Sequence, residues 1–149
     1  MISILIPFKN TAPFFRECID SILAQSHSAF EIIAVDDHSE DSSLDIIKAY
    51  SDKRIKIFKN EGTGILPALQ TAQKHATGKF ITRMDADDVM PKDKLTFLLD
   101  ALKQKGQGYV ATGMVQYFGI FMIFLCSNRI LHEYAKCIMT LLLYHRYYI

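Results

Sequence analysis

Three carboxylates within four residues, Asp85, Asp87 and Asp88, follow the strand-like run Phe80-Ile81-Thr82-Arg83-Met84. Clustering acids there costs like-charge repulsion. A hard divalent cation relieves it, because Mg²⁺ or Mn²⁺ takes carboxylate oxygens and completes its octahedron with water and substrate phosphates. In an extended segment alternate side chains point the same way, so Asp85 and Asp87 are placed to share a ligand. The competing use is structural: Asp87 or Asp88 could cap a helix that starts after Pro91. A second acidic pair, Asp36-Asp37, ends another strand-like run. A carboxylate there can accept two hydrogen bonds from a ribose diol, or one from a base N–H. Its structural alternative is again a helix start, since Ser39 or Asp41 precedes Ser42 and Ser43. Both uses can hold together, with Ser39 capping and Asp37 facing a ligand.

The elements that must carry these groups alternate in type. Ser3 to Phe8 is a short apolar run ended by Pro7 and Asn10, which predicts a strand. Phe15, Ile19, Ile22 and Leu23 then recur at helical spacing behind Pro13, which a first helical turn tolerates. Phe30 to Val35 is a β-branched run, and Leu44, Ile47 and Lys48 give a second helix. Ile55 to Phe58 predicts a third strand, Asn60 to Gly64 a loop, and Leu66 to His75 a helix that stops at Thr77-Gly78. Lys79 to Met84 is a fourth strand, and Pro91 opens a helix carrying Leu95, Leu98, Leu99 and Leu102. Strands and helices alternating at this spacing predict right-handed βαβ crossovers and an α/β fold with a Rossmann-like, mostly parallel sheet. Ligands of such sheets bind beyond the carboxyl ends of the strands, which selects the loops Pro7 to Asn10, Asp36 to Ser39, and Asp85 to Asp88.

The chain has 149 residues, one domain's length, with seventeen basic and sixteen acidic residues and a net charge of +1. No global field favours nucleic acid, and the scattered Tyr and Phe lack basic interleaving. Cys18, Cys126 and Cys137 lie far apart with no CxxC pair, which predicts reduced, partly buried thiols as in a cytoplasmic protein. Met1 to Ile6 reads as a buried strand and not as a signal peptide, because Pro7 interrupts it too early. Tyr109 to Asn128 carries no charge. Polar and Gly residues dilute it, so buried core or packing on a membrane surface is preferred to a transmembrane span. Residues 114–149 form an atypical apolar tail that the alternation does not assign to the sheet. Gly62-Thr63-Gly64 falls short of a dinucleotide fingerprint, and no P-loop is present.

The order of motifs resembles the family 2 glycosyltransferases, inverting enzymes with the GT-A fold. The matching segments are Ser3-Ile4-Leu5-Ile6-Pro7-Phe8-Lys9-Asn10, Glu31 to Asp41, Asn60-Glu61-Gly62, and Gly78 to Asp88. The resemblance covers about residues 1 to 113, which it marks as the donor-binding part of such a domain. It implies that the Pro7 loop contacts the nucleoside and that Asp37 binds the uracil or ribose side of a nucleotide sugar. It implies further that Asp85 and Asp87 form the family's DxD element, with Asp85 toward the nucleotide and Asp87 the direct ligand of Mn²⁺ or Mg²⁺. Asp88 is a substitute ligand, since an acidic triplet leaves the register open. His38 stands where many relatives have Gly, and it tolerates a left-handed turn better than most residues. The implied reaction is metal-assisted transfer from a donor such as a UDP-sugar to a glycan or lipid-linked acceptor hydroxyl, with inversion. Such transfer needs a general base, which the family carries downstream of the DxD element. The one carboxylate after Asp100 is Glu133, whose surroundings do not match that motif, so no base is assigned. The chain accordingly reads as truncated or altered in frame after about residue 116. The expected location is cytoplasmic, with peripheral membrane association. Two alternatives stand beside this expectation. One is a catalytically incomplete nucleotide-sugar-binding or membrane-associated fragment. The other is a haloacid-dehalogenase-like phosphatase with Asp85 as nucleophile.

Overall fold

A computed structural model describes residues 1–105, 115–118 and 121–124 of the chain. They fall in two compact units, Met1–Phe97 and Leu98–Ile149. The first contains β1 (Ile2–Phe8), α1 (Ala12–Leu23), β2 (Phe30–Asp36), α2 (Ser43–Lys48), β3 (Ile55–Lys59), α3 (Ile65–His75) and β4 (Phe80–Arg83), and the unit boundary falls inside α4 (Lys94–Lys105). The second contains β5 (Val115–Phe118) and β6 (Phe121–Phe124), a separate antiparallel pair in which Val115 faces Phe124 and Phe118 faces Phe121. Among the described residues no helix is long and apolar enough to cross a membrane. Cys126, Cys137 and Glu133 lie outside the described residues.

The first unit is the predicted α/β alternation. Its sheet has the order β3-β2-β1-β4, with every pair parallel. From β1 the chain steps outward to β2 and then β3, and α1 and α2 pack on one another along that path. It then returns across the whole sheet through α3 to β4. A right-handed crossover running the opposite way puts its helix on the opposite face, and α3 packs there against β1 and β2. The direction reverses at β1, so the crevice between the carboxyl ends of β1 and β4 is the topological switch point.

Burial follows from this layering. Every residue of β2 is buried, as expected for a strand covered on both faces. Phe15, Cys18, Ile19 and Ile22 make the inward stripe of α1, and Phe15 meets Phe8 of β1 with ring centroids 4.6 Å apart. Small residues, Ala68, Thr71 and Ala72, form the buried stripe of α3. Pro7 punctuates β1 from within it, paired in register with Val35. A proline is rarely tolerated in a central strand, and the ladder explains this one. The even residues of β1 face β2, since the Ile2 N–H donates to Ala29 O and Phe8 O accepts from Asp37 N–H; the odd residues therefore face β4. The β4 ladder ends where the Met84 N–H donates to Leu5 O at 3.0 Å. Pro7 is the next odd residue, so its missing N–H falls where β4 has already left.

At the opposite edge a buried carboxylate joins the strands. Glu31, 4% exposed on β2, accepts from Ser3 Oγ of β1 at 2.6 Å and from Lys56 Nζ of β3 at 2.8 Å. It also accepts from Thr77 N–H at 2.7 Å, Thr77 Oγ1 at 2.8 Å and Gly78 N–H at 3.2 Å, in the turn that feeds β4. Burial alone would push its carboxyl up, but the bonds from Lys56, Ser3 and Thr77 outweigh burial and bring it down to about 2. Gly78 is required by space: a Cβ there would lie 2.7 Å from Ser3 N and 2.9 Å from Ile2 C.

Because the folded-state value lies below the ordinary 4.5, Glu31 stabilises fully above pH 4.5 and loses that contribution as the pH falls toward about 2. Glu31→Gln is expected to cost about 2–3 kcal/mol in urea unfolding at pH 7. The gap between wild type and variant should close through that acidic window. Gly78→Ala should cost about 1–3 kcal/mol by overpacking, with no such pH dependence. A Glu31→Gln gap that stays constant down to pH 2 would refute the assignment.

Candidate functional site

The loops leaving the carboxyl edge of the sheet are tied to one another before any ligand is considered. Asn10 and His38 both adopt left-handed backbone, with φ of 53° and 58°. Asn10 Oδ1 accepts from the Glu40 N–H at 2.8 Å, and its own N–H donates to Ser39 Oγ at 3.2 Å. At the start of α1, the Thr11 N–H donates to Ser43 Oγ at 2.8 Å and the Ala12 N–H to Asp41 Oδ2 at 2.9 Å. Asp41 Oδ1 accepts from the Ser43 N–H at 2.9 Å, so one carboxylate serves the beginnings of two helices. The helix-starting chemistry read at residues 39–43 is therefore real but differently spent, because Ser39 binds Asn10 and does not cap α2.

Asp37 lies just past β2 and is 7% exposed. Its N–H donates to Phe8 O at 2.8 Å, which docks it beside the carboxyl end of β1, where Pro7 lies. Its Oδ1 accepts from Asn60 Nδ2 at 2.6 Å, and both carboxylate oxygens lie 3.0 Å from the Gly64 N–H. Burial pushes this carboxyl up, but the bonds from Asn60 and Gly64, with Lys9 and His38 nearby, hold it below the usual range. Asn60, itself 4% exposed, also donates to Gly64 O at 3.1 Å and accepts from the Gly62 N–H at 3.1 Å. Gly64 has φ 93°, a conformation only glycine adopts readily. The exposed His38 closes the same loop through Nε2, 2.9 Å from Gly62 O. Asp37 thus organises residues 60–64, and Oδ2, which among the described residues has the Gly64 contact alone, retains acceptor capacity for a ligand donor.

The acidic loop is built differently. After Arg83 the chain leaves the strand and turns, the Asp88 N–H donating to Asp85 O at 3.2 Å. The pleat that would align Asp85 with Asp87 therefore does not extend to Asp87. Asp85 is instead engaged by Arg83, whose Nε and Nη2 both donate to Asp85 Oδ1, at 2.9 and 2.5 Å. Ala86 and Met90 are buried anchors while Asp87 and Asp88 are exposed. Asp87 makes no side-chain hydrogen bond or ion pair among the described residues.

Helix α1 supports this loop from below. Cys18 Sγ lies 3.5 Å from Asp85 O, and its thiol is pushed up to about 12 by burial and by Asp88, Asp87 and Asp85. Ser21 Oγ accepts from the Met90 N–H at 2.9 Å. Gln25 donates to Pro91 O at 2.7 Å and accepts from the Leu95 N–H at 3.2 Å. Gln25, and neither Asp87 nor Asp88, serves the first turn of α4, so capping does not account for the acidic cluster. Burial lowers the Lys94 ammonium, against the opposing pull of Asp88 and Asp85.

Among the described residues no group of three or more His, Cys, Asp or Glu is arranged to hold a metal ion alone. The available donors are nonetheless hard oxygens: Asp87, Asp88 and the second oxygen of Asp85. They suit Mg²⁺ or Mn²⁺ with the remaining positions left to water and phosphate. An open depression of about 500 Å³, lined by residues that include Asp36, His38, Phe58 and Lys59, does not include Pro7, Asp85 or Asp87. The sequence reading gave no role to Lys9, Asn60 or Arg83, although each lies in a segment it singled out. The i, i+2 spacing of Arg83 and Asp85 was the available signal.

The family model described as glycosyl transferase family 2 matches residues 3–134. A putative teichuronic acid biosynthesis glycosyltransferase of Bacillus subtilis, TuaG, is 32% identical over 116 residues, covering 76% of this chain and 46% of that protein. The structure of Staphylococcus aureus TarS 1-349 in complex with UDP is similar with TM-score 0.65 and 28% identity, covering 69% of this chain and 32% of that one. The mannosyltransferase PcManGT of Pyrobaculum calidifontis, in complex with GDP-Man and Mn²⁺, gives TM-score 0.62 and 28% identity, with 68% and 32% covered. The chain thus spans less than half the length of these relatives. The likeness agrees with the expected GT-A architecture. Nothing in it supports the phosphatase alternative.

Asn60→Ala would leave the Gly62 N–H without its partner and Asp37 Oδ1 with the Gly64 N–H alone, at an expected cost of about 1–3 kcal/mol. Hydrogen exchange at Gly62 and Gly64 should accelerate while the interior of β1 and β2 stays protected. Unchanged exchange in the 60–64 loop would show that the Asn60 bonds do not hold it.

Proposed function

This chain belongs to glycosyl transferase family 2, and we propose that its described part is the donor-binding part of a metal-dependent glycosyltransferase acting on a nucleotide-diphosphate sugar. The observation that carries the proposal is the placement of Asp87. Its carboxylate has no protein partner among the described residues, and its loop leaves β4 beside the switch-point crevice that opens at Pro7. Asp37 supports the same reading from the end of β2, on the other side of β1, held ionised and with acceptor capacity to spare for a ribose or base donor. Residues 1–113 would make up this donor-binding part, with 114–149 left outside it.

Asp87, Asp85 and Asp88 would hold Mn²⁺ or Mg²⁺, which when bound neutralises the donor diphosphate as leaving group. The chain's own residues orient the donor. The end of β1 at Pro7 and the loop that follows it lie along the nucleoside, Asp37 fixes its ribose or base, and the clamp of Ser21 and Gln25 on residues 90–95 keeps the acidic loop in place. In the transfer the acceptor oxygen bonds to the anomeric carbon as the bond to the diphosphate oxygen breaks. The hydroxyl proton passes to a base, and the configuration inverts. No described residue is assigned as that base.

The UDP complex of TarS supports a UDP-sugar donor, while the GDP-Man complex of PcManGT keeps a second nucleotide in view. The name of TuaG, a putative teichuronic acid biosynthesis glycosyltransferase, supports a glycan acceptor; a lipid-linked acceptor, a cytoplasmic location and peripheral membrane association belong to the proposal without that support.

Calorimetry with UDP, UDP-sugars and GDP-mannose, with and without Mn²⁺, tests the proposal on the wild type and on Asp87→Ala. Binding of UDP ligands should require Mn²⁺ and weaken at least ten-fold on the substitution. Equal binding by both proteins would sink the metal assignment, and tighter binding of GDP-mannose would reassign the donor.

A further inference from the structure

We infer that Arg83 is a positioning residue that makes cation capture at the acidic loop conditional on the nucleotide diphosphate; this rests on the donor-site reading above. Arg83 ends β4 and reaches Asp85, two residues on. Both of its contacts, Nε at 2.9 Å and Nη2 at 2.5 Å, go to the single oxygen Oδ1. The guanidinium therefore fixes the carboxylate's rotamer, occupies one oxygen and leaves Oδ2 open.

The two side chains are 48% and 46% exposed. A half-exposed pair of this kind contributes little to stability, so it is poorly suited to bracing the fold and well suited to being reorganised when a ligand arrives. The charge around the loop points the same way. Three carboxylates, Asp85, Asp87 and Asp88, are opposed by Arg83 and by the half-buried Lys94, which Asp88 and Asp85 face. The loop in the free chain is nearly balanced and one oxygen short. A hard dication needs about six oxygen ligands, and the described residues offer no ready-made group of three acids. A diphosphate supplies both what the loop lacks in ligands and the negative charge that offsets Arg83. Cation and nucleotide then enter together, and the loop does not load with metal in advance of substrate. Lysine at this position would keep the charge and lose the two-donor fork that immobilises Asp85.

Mn²⁺ binding followed by electron paramagnetic resonance, on the full chain with and without UDP, separates the possibilities. Wild type should bind free Mn²⁺ weakly and gain strongly on adding UDP. Arg83→Met should bind free Mn²⁺ about ten-fold more tightly while changing little in the presence of UDP, so the coupling between the two ligands falls. Arg83→Lys should lie between them. Urea unfolding of Arg83→Met should match wild type. Free Mn²⁺ affinity unchanged in Arg83→Met, with UDP-dependent binding still abolished by Asp87→Ala, overturns the role of Arg83 and spares the donor site. Loss of the Asp87→Ala effect overturns the donor site itself.

Discussion

A parallel sheet has no hairpins to register its strands, so the alignment of β3, β2, β1 and β4 depends on what crosses between them. Glu31 does much of this. Its carboxylate touches Ser3 of β1, Lys56 of β3 and the Thr77-Gly78 turn that enters β4. The turn is where the crossover through α3 must come back beside β1, and its closely approaching N–H groups would otherwise have no ladder partner. A carboxylate offers four lone pairs where a carbonyl offers two, so a single buried acid can satisfy them all and bind β3 as well. The charge is tolerated because it is fully hydrogen-bonded. Fixing the amino edge in this way sets the register that places the ends of the strands at the carboxyl edge.

Helix α1 carries that alignment from the sheet to the loops. Its first N–H groups are received by Ser43 and Asp41, which fasten the β2–α2 loop. Its last turns, through Ser21 and Gln25, grip the segment that follows the acidic loop. The buried stripe Phe15, Cys18, Ile19 and Ile22 holds the helix between these two tasks. Loops almost fifty residues apart in sequence, at Asp41–Ser43 and at Met90–Pro91, are thereby held by one rigid rod, and errors in one end would propagate to the other.

Local periodicity made the α/β alternation legible, because the helical stripe of α1 and the β-branched run of β2 are signals contained within a few residues. The strand ends, and so the three loops, followed from the same signals. What did not follow were contacts set by topology. Glu31 is one acid in a hydrophobic strand until Thr77, forty-six positions away, is brought beside it. Gln25 is an ordinary polar residue at a helix end until Leu95 needs an acceptor. Pro7 lies within β1 because of where β4 departs, and no local rule contains that fact. Extending the pleat to Asp87 failed for a different reason, since the strand ends at Arg83 and the chain turns.

The acids of this unit can be ranked by how much of their acceptor capacity the protein consumes. Glu31 is the most heavily engaged, with four donors on Oε1 and Lys56 on Oε2, and it is remote from the carboxyl edge. Asp37 is engaged mainly through Oδ1 and keeps part of Oδ2. Asp85 surrenders one oxygen to Arg83. Asp87 gives none. Desolvating an ionised carboxylate is costly unless it is paired, so the fold buries the acids that it satisfies and exposes those that it leaves unsatisfied. Carboxylates that retain capacity occur where the strands end and where crossover handedness opens a crevice. The division between structural and ligand-binding acids is therefore set by the distribution of donors along the sheet, while the residue type is the same throughout.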